Sequence, residues 1–402
     1  MSDRDLRAEP ESSTELASHK RLRGLYHGED PGDAPAEPPP IPDLGAYGLE
    51  VEGLLGKGGM GAVYRARQRH PARLVAVKVL SGGGLRDVEL RERFEREIRA
   101  LSSLTSPYIV QIYGAGSTPD GTPFYVMELV DGVPLEEYAS QRRLSTTARL
   151  RLFTSICKGV QMAHRSAIIH RDLKPANVLV DRQGRPRILD LGLAKFQRRD
   201  AKEWATISRM SQVMGTPAFM APEQFQADSD AVDTRADCYA LGVILYRLVL
   251  AAHPYPIADG ILATMRIVCT SEPVPPRDLE PRIPRDLAAV LLKALDKLPE
   301  RRYQSPVELG DDIKRFLEGK PVQACLPTTW YRTRKFLARN RLATAISLGA
   351  FVLVALLTTV AVWRIAAARD RAQGALHAER IALEELDREA YLNSLPAIGQ
   401  KL

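Results

Sequence analysis

One uncharged segment constrains the fold of this chain more than any other feature of its sequence. Residues 342–363 form a run of twenty-two positions without a charged side chain. A helix of that length spans roughly 33 Å, which is enough to cross the hydrocarbon core of a bilayer. A buried core helix without a polar face is the less favoured alternative. The run therefore predicts a single transmembrane helix over residues 342–363.

Basic residues are concentrated just before this segment. Residues 330–341 contain five bases and no acid, and they begin with two aromatic residues that suit a membrane interface. The fifteen residues after the segment contain three arginines. Because the cytoplasmic flanks of membrane helices carry an excess of lysine and arginine, we expect the N-terminal side to lie in the cytosol. Residues 364–402 are then a short extracytoplasmic tail, which we expect to be helical.

The chain begins with an acidic, proline-rich stretch. Residues 1–46 hold ten acids and five bases, few large apolar side chains and, near their end, the run Pro38-Pro39-Pro40. Such a composition does not bury enough apolar surface to offset its ordering entropy, so a disordered tail is predicted. A docking ligand for a proline-binding domain is the less favoured alternative. The first residues also lack the basic and apolar regions of a cleaved signal peptide.

The composition argues against several other classes of protein. The four cysteines, at positions 157, 238, 269 and 325, have no metal-like spacing and form no C-x-x-C pair, so neither a zinc site nor a disulfide framework is expected. The formal net charge of +7 could suit a nucleic-acid surface. Its densest part, however, adjoins the predicted membrane helix, and no groove-reading motif is present. We therefore expect no nucleic-acid partner.

Between the tail and the membrane segment, predicted strands come first and helices follow. Short β-rich runs around glycines predict strands over 49–55, 62–67 and 74–80, and apolar spacing predicts a helix over 86–104. Four further segments predict mainly amphipathic helices, at 144–164, 236–250, 285–297 and 306–317. This order indicates an α+β fold with a small β-rich lobe before a larger helical lobe. We place this domain at 47–318 and a basic juxtamembrane segment at 319–341.

A glycine-rich run joins the first two predicted strands. Residues 56–63 read Gly-Lys-Gly-Gly-Met-Gly-Ala-Val, in which glycines let a hairpin close over a ligand and present backbone N–H groups to phosphate oxygens. A dinucleotide-binding loop is disfavoured, because that motif joins a strand to a helix. Further along, Lys78 ends an apolar strand and could hold phosphate oxygens, with Glu97 as a candidate carboxylate partner. Taken alone, these two residues would be better explained as an ordinary solvated surface pair.

The most informative polar residues lie between two β-branched apolar runs. Residues 168–180 contain His-Arg-Asp-Leu-Lys-Pro-Ala-Asn, which predicts a functional loop. Asp172 can accept a hydroxyl proton, Lys174 can neutralise charge on a transferring phosphoryl group, and Asn177 can bind a hard cation through oxygen. Asp190 follows another apolar strand thirteen residues beyond Asn177. Two oxygen ligands together with nucleotide phosphates suit Mg²⁺.

Taken together, these motifs resemble the protein-kinase family. The glycine-rich loop, Val-Ala-Val-Lys, His-Arg-Asp-Leu-Lys-Pro-Ala-Asn, Asp-Leu-Gly and Ala-Pro-Glu at 221–223 occur in the order and approximate spacing of that family's signature set. The resemblance covers about 47–317, roughly two-thirds of the chain. It implies a bilobal protein-kinase fold, followed here by the single transmembrane helix.

The resemblance also implies a set of nucleotide-binding residues. They are Leu55, Gly56, Lys57, Gly58, Gly59, Met60, Gly61, Val63, Ala76, Lys78, Glu97, Met127, Glu128 and Val130. Within this set, Lys78 would hold the α and β phosphates of ATP and pair with Glu97. Met127 would be the gatekeeper, for which simple core packing is the alternative, and the backbone of Glu128 and Val130 would hold adenine.

The same resemblance gives roles to the polar loop. Asp172 would be the catalytic base, Lys174 would lie beside the transferred phosphoryl group, and Asn177 and Asp190 would bind Mg²⁺, with Mn²⁺ as a possible replacement. The motif Asp-Leu-Gly departs from the commoner Asp-Phe-Gly but keeps the metal-binding aspartate. Lys174, with the sequence Gly-Thr-Pro at 215–217, resembles serine/threonine kinases rather than tyrosine kinases.

Two further features concern regulation and structure. Arg171 directly precedes the catalytic aspartate, an arrangement in which an activation-loop phosphate pairs with the arginine and here also with Lys195. Thr206 and Ser208 are the candidate phosphorylation sites, and an unmodified solvated loop is the alternative. The resemblance also implies a structural ion pair between Glu223 and Arg302.

A kinase domain followed by one membrane span resembles the bacterial transmembrane, eukaryotic-like (Hanks-type) Ser/Thr kinases. The implied function is Mg²⁺-dependent transfer of the γ-phosphoryl group of ATP to Ser or Thr hydroxyls of cytosolic proteins, and autophosphorylation. A membrane-tethered pseudokinase scaffold is the alternative, although no catalytic residue is missing. Ala345 and Gly349 have a spacing that could support a homodimer, but chance is the favoured explanation in an alanine-rich span.

Overall fold

The computed structural model describes most of the chain after residue 40. The described residues are 41–58, 61–80, 88–191, 217–225, 232–256, 260–325 and 328–394. Internal contacts divide the chain into a unit over 1–327 and a unit over 328–402. Gly59, Met60, Lys195, Thr206 and Ser208 lie outside the described residues, as does most of the predicted N-terminal tail.

The smaller lobe is built on an antiparallel sheet of five strands. These are β1 (Leu49–Gly58), β2 (Gly61–Gln68), β3 (Arg73–Leu80), β4 (Ile112–Ser117) and β5 (Pro123–Glu128). Their spatial order is β1-β2-β3-β5-β4, so the strand that carries Lys78 lies at the centre of the sheet. Central strands of mixed Val, Ala and Leu suit this position because both of their faces are covered. The three strands predicted from the sequence are confirmed.

One helix, α1 (Val88–Ser102), packs on this sheet. Phe94, Ile98 and Leu101 recur every three or four residues and are almost fully buried. That spacing places them on one helix face, which explains why the periodicity predicted a helix here.

The larger lobe contains a small sheet and the remaining helices of the first unit. The sheet has the order β6-β7-β8, with β6 (Gly132–Pro134), β7 (Val178–Asp181) and β8 (Pro186–Ile188). The helices are α2 (Leu135–Gln141), α3 (Thr146–Arg165), α4 (Arg235–Leu250), α5 (Ile261–Thr270), α6 (Pro276–Leu279), α7 (Arg285–Ala294) and α8 (Pro306–Leu317). The predicted α+β layout, with strands before helices, is confirmed.

Side-chain caps mark where two of these helices begin. The Ser145 hydroxyl accepts a hydrogen bond from the Ala148 N–H at the start of α3, and Ser305 accepts one from the Glu308 N–H at the start of α8. Each cap satisfies an N–H group that has no partner inside the helix. These helix starts are therefore encoded locally.

Helix α4 differs from the amphipathic helix that the sequence predicted. Its residues 236–246 are all buried, so it has no polar face over three turns. The reason is its central position, since α3, α7 and α8 all contact it. A helix that is surrounded on all sides becomes apolar all round.

An ion pair links the surroundings of α4 to the segment at 222–225. The guanidinium of Arg302, which is fully buried, donates to both carboxylate oxygens of Glu223 at 2.7 and 2.8 Å. Arg302 also donates to the carbonyls of Asp296 and Lys297. The predicted structural pair is present, and its many partners explain how a buried arginine is tolerated.

The second unit consists of two helices, α9 (Thr329–Arg339) and α10 (Arg341–Ser394). Within the described residues, α10 is the one helix long and apolar enough to cross a membrane. Its most apolar window, with a mean hydropathy of 2.4, has no buried residue. A core helix would bury that window, so this finding favours a membrane span over the buried alternative.

Candidate active site

The loop before β7 brings three predicted polar residues together. The Nζ atom of Lys174 lies 3.1 Å from Oδ2 of Asp172. The side-chain amide of Asn177 donates to the Asp172 carbonyl at 2.7 Å and to its Oδ2 at 3.2 Å. Asp172 and Asn177 are both buried, and Leu173 between them packs into the core. One turn of chain therefore places a base, a cation and an amide within one site.

The carboxylate of Asp237 binds the backbone of this loop. Asp237, in the first turn of α4, accepts hydrogen bonds from the backbone N–H groups of His170 at 2.8 Å and Arg171 at 2.9 Å. It also lies 2.7 Å from Nε2 of His164 on α3. Burial raises the pKa of Asp237, but its hydrogen bonds and the neighbouring histidines outweigh that and hold the pKa below the ordinary aspartate value. Asp237 is thus an ionised anchor for the loop.

These bonds hold an unusual backbone conformation. Arg171 has φ of +65°, in the left-handed region that residues other than glycine rarely adopt. Besides the bond from its N–H to Asp237, its carbonyl accepts a hydrogen bond from Nε2 of Gln224 at 3.0 Å. The surrounding fold therefore determines the direction in which the next residue, Asp172, leaves the chain.

From the smaller lobe, Lys78 forms an ion pair with Asp190. Lys78 is 7% exposed on β3, and Asp190 has φ of +54°. Burial raises the pKa of Asp190, whereas Lys78 and the Tyr125 hydroxyl lower it, and the net pKa lies below the ordinary value. Glu97, the expected partner of Lys78, lies half-buried on α1. In this structure the ion pair of Lys78 is with Asp190, and its pairing with Glu97 stays a prediction.

The described residues of the predicted phosphate loop lie at the end of β1 and the start of β2. Gly58 is paired with Gly61 at the end of the two strands. Gly61 has φ of +141°, and a Cβ atom there would lie 2.0 Å from the Val79 carbonyl oxygen. Glycine is therefore required at this position, because any side chain would collide with β3. Lys57 is exposed on the same hairpin.

Apolar side chains from three strands lie beside this hairpin. Leu55, Val63 and Ala76 are buried, and Ala76 pairs with Met127 across β3 and β5. Met127 is 2% exposed, so its packing role and the predicted gatekeeper role are compatible. These residues form an apolar wall next to the phosphate loop, as a planar aromatic ligand would require.

The chain after Met127 is held by an arginine that sequence reasoning missed. Arg187 on β8 forms an ion pair with the Glu128 carboxylate, and the backbone N–H of Glu128 donates to the Gln111 carbonyl at 2.9 Å. Arg187 also donates to the Ile109 carbonyl at 3.3 Å. A residue of the larger lobe thus restrains the link between the lobes at the predicted adenine site, just before Val130.

The two predicted metal ligands are brought close by the backbone. The N–H of Leu189 donates to the carbonyl of Asn177 at 2.9 Å, which places Asn177 next to Asp190. Since the Asn177 amide nitrogen donates to Asp172, the oxygen of the same side chain is the atom that could bind a cation. Among the described residues, no group of three or more His, Cys, Asp or Glu side chains could hold a metal. One carboxylate and one amide oxygen suit an ion whose other ligands are phosphate oxygens and water, as is usual for Mg²⁺.

Sequence reasoning also missed Asp237 and Tyr125. Asp237 could have been found as the lone acid in the apolar stretch 236–246. Tyr125 could have been found from strand alternation, because it lies two residues before Met127 and thus on the same face of β5. Neither signal distinguishes a functional side chain from a core one without the tertiary contacts.

Comparison with known proteins agrees with this geometry. The family model of the protein kinase domain matches residues 49–309. The chain is 37% identical over 279 residues to the probable serine/threonine-protein kinase SCO3848 of Streptomyces coelicolor, a match that covers 68% of this chain and 41% of that protein. It is 36% identical over 279 residues to the serine/threonine-protein kinase PknB of Mycobacterium tuberculosis, covering 68% and 44% respectively. The matched part thus spans less than half the length of these curated relatives.

A solved structure shows the same architecture. The kinase domain of Mycobacterium tuberculosis PknI matches with a TM-score of 0.52 and 27% identity, covering 67% of this chain and 96% of that one. The resemblance expected from the motifs and the predicted bilobal fold are therefore confirmed. With a matching family model over more than half of its length, the chain belongs to the protein kinase family.

Proposed function

We propose that this protein is a membrane-anchored Ser/Thr protein kinase that transfers the γ-phosphoryl group of ATP to protein hydroxyls. The observation that carries the proposal is the convergence of Asp172, Lys174 and Asn177 on one loop, together with the Lys78–Asp190 ion pair. Phosphoryl transfer needs a positioned base, cations beside the transferred group and oxygen ligands for a metal. Each of these needs has a side chain here.

The Asp172 loop would act on the acceptor. The Asp172 carboxylate is held by the Asn177 amide and lies beside the Lys174 ammonium. Asp172 would orient the acceptor hydroxyl and accept its proton, while Lys174 would offset negative charge on the transferring group. The proposed preference for Ser and Thr rests on Lys174 and on the names of the kinases that the chain resembles.

The other side of the cleft would hold the nucleotide. Adenine would lie against the wall of Leu55, Val63 and Ala76, with hydrogen bonds to the backbone of Glu128 and Val130. Lys78 would turn from Asp190 to the α and β phosphates. Asn177 and Asp190 would hold Mg²⁺, which supplies positive charge to the phosphate oxygens when it is bound. Mn²⁺ has similar ligand preferences and could replace it.

Autophosphorylation of the segment after Asp190 is part of the proposal. Within the described residues, Nε of Arg171 is buried without a hydrogen-bond partner. Such a group has unused donor capacity next to Asp172, which a phosphate on Thr206 or Ser208 could use. Phosphorylation would then add order to the loop that presents the base.

The membrane anchor would place the catalytic domain in the cytosol. Helix α9, which directly precedes α10, carries several basic residues. Its Trp330 and Phe336 side chains are exposed, as is common for aromatic residues at a membrane interface. We propose a single-pass protein whose substrates are cytosolic, with the tail after the span outside the cell. The possible homodimer through Ala345 and Gly349 stays a prediction.

Three substitutions in the full chain test the proposed activity. Asp172→Asn, Lys78→Met and Asp190→Asn should each remove nearly all transfer of radiolabel from ATP to the protein and to a generic protein acceptor, because each removes a charge on which the transfer depends. Circular dichroism should show that each variant keeps its secondary structure.

Asp131→Asn is the matched control. Asp131 is 60% exposed at its side chain and pairs with Arg182 on the surface, so this variant should keep wild-type labelling. Wild-type labelling by Asp172→Asn or Asp190→Asn would contradict the site. A folded wild-type protein that binds ATP but transfers nothing under any metal condition would favour the pseudokinase scaffold instead.

A further inference from the structure

The hydroxyl of a tyrosine in the smaller lobe contacts Asp190, the proposed metal ligand. Tyr125 lies in β5 and is 1% exposed. The register of the sheet pairs it directly with Lys78 on β3. Directly paired residues of neighbouring strands project from the same face of a sheet. Both side chains therefore reach the same partner, which is Asp190.

The two side chains occupy different oxygens of that carboxylate. Lys78 forms its ion pair with Oδ2, while the Tyr125 hydroxyl donates to Oδ1 at 2.5 Å. A cation and a neutral donor together determine the plane and the direction of the Asp190 side chain. If only one of these partners were present, the carboxylate could still rotate about that single contact.

The backbone conformation of Asp190 is the reason why these two side-chain contacts matter. Its φ of +54° lies in the left-handed region, which is costly for an aspartate. A residue held in such a conformation returns to commoner ones when its contacts are lost. Lys78 would leave Asp190 when it turns to the phosphates of ATP. The hydrogen bond from Tyr125 is then the contact from the sheet that can persist after Lys78 has turned to the phosphates.

We propose that Tyr125 is a positioning residue for Asp190, whose hydroxyl keeps the carboxylate directed at the metal and nucleotide site before either is bound. This inference rests on the proposed function, because it assumes that Asp190 holds the metal. When only a fraction of molecules holds a competent conformation, the apparent affinity falls by that fraction. Loss of the hydroxyl would therefore weaken metal and nucleotide binding without removing any atom that touches them.

Tyr125→Phe is the decisive variant, since it keeps the buried ring and removes the hydroxyl alone. If one molecule in ten keeps the wild-type direction of Asp190, Mn²⁺ binding should weaken about tenfold. The full chain in detergent micelles would be titrated with Mn²⁺ in the presence of a non-hydrolysable ATP analogue, and free Mn²⁺ would be followed by electron paramagnetic resonance. In kinetic assays the change should fall on KM for the metal–nucleotide more than on kcat.

The matched control is Tyr246→Phe in α4. The Tyr246 side chain is fully buried in the larger lobe, and its hydroxyl donates to the Val274 carbonyl at 2.8 Å. This variant loses an equivalent buried hydrogen bond and should bind Mn²⁺ within about twofold of wild type. A general loss of packing or stability would affect both variants, whereas a positioning role affects Tyr125→Phe alone.

A measurement without metal separates this inference from the proposed function. Hydrogen–deuterium exchange of residues 188–191 should be faster in metal-free Tyr125→Phe than in wild type, because the released segment opens more often. Wild-type Mn²⁺ affinity in Tyr125→Phe, or equal losses in the two variants, would overturn the positioning role. Absence of Mn²⁺ and nucleotide binding in wild type itself would instead overturn the proposed function.

Discussion

The two halves of the site are held in place by different parts of the molecule. The Asp172 loop is held from within the larger lobe, where Asp237 accepts hydrogen bonds from two backbone N–H groups and contacts His164. Asp190 is held by Lys78 and Tyr125, which belong to strands of the smaller lobe. The Asp172 loop, which we call the acceptor half after its proposed role, thus depends on the packing of one lobe. The part around Lys78 and Asp190, the proposed nucleotide half, depends on contacts between the lobes.

This difference has a physical consequence for substitutions. A buried carboxylate that satisfies backbone donors contributes to the stability of the fold, because its loss leaves those donors without partners. A side chain that changes partners when nucleotide binds contributes mainly to binding. Removing the anchor of the Asp172 loop should therefore reduce stability and activity together, whereas removing a polar contact on the nucleotide side should alter nucleotide binding while the fold stays intact.

The largest effect is expected for Asp237→Ala. Removing this carboxylate leaves the N–H groups of His170 and Arg171 buried without an acceptor, and we expect a loss of about 3 kcal/mol in the free energy of unfolding. Transfer activity should fall with it, because Asp172 would lose its direction. Thermal unfolding and radiolabel incorporation on the same samples measure both effects. A variant with wild-type stability and normal activity would contradict the comparison between the halves.

The pH dependence of stability offers a second measurement on the same residue. The pKa of Asp237 is lower in the folded protein than its ordinary value, so its contribution to stability is present above about pH 3.9 and is lost as pH falls through the folded pKa. Asp237→Asn should therefore flatten the acid limb of the stability profile. An acid limb as steep as that of wild type would show that Asp237 does not contribute to it.

An intermediate effect is expected for Arg187→Ala at the link between the lobes. The ion pair with Glu128 is mostly buried and restrains the segment that would hold adenine. Its loss should raise KM for ATP about fivefold, which corresponds to an interaction worth about 1 kcal/mol. Steady-state kinetics with varied ATP would measure the change, and the unfolding temperature should shift little.

Arg182→Ala is the matched control for that variant. Arg182 is 70% exposed at its side chain and pairs with Asp131 on the surface nearby, so KM for ATP should stay at the wild-type value. If both arginine variants raised KM equally, the cause would be the general loss of positive charge and not the contact with Glu128.

The smallest effect is expected for Lys57→Ala in the phosphate loop. Lys57 is exposed, and the loop is expected to contact phosphate through backbone N–H groups, so KM for ATP should change less than about twofold. By contrast, Gly61→Ala places a Cβ atom against the Val79 carbonyl and should disturb the hairpin itself. A large increase in KM for Lys57→Ala would indicate that its ammonium contacts phosphate directly.

Local sequence signals predicted much of the fold. The three strands before residue 80 and the helix after residue 87 follow from alternation, glycine turns and apolar spacing, which act over a few residues. Helix α4 was predicted as one of several mainly amphipathic helices and is buried on all sides over 236–246. Its surroundings come from α3, α7 and α8, which are distant in sequence, so local periodicity could not reveal them.

Much of the candidate site could also be identified from the sequence. Asp172, Lys174 and Asn177 lie within six residues, so a single loop brings them together. Asp237, Arg187 and Tyr125 could not be identified in this way. Their partners lie 66, 59 and 65 residues away, at Arg171, Glu128 and Asp190, and only the folded chain makes these contacts.

The sequence by itself determined the family motifs, the order of strands and helices, and the apolar segment that can span a membrane. These features depend on residue types at short spacing, where backbone geometry leaves few alternatives. Only the tertiary structure decided that Lys78 and Tyr125 share the carboxylate of Asp190, and that Asp237 supports the Asp172 loop. The reason is that a buried polar group is satisfied by whichever partner packing brings within about 3 Å, and packing depends on the whole chain.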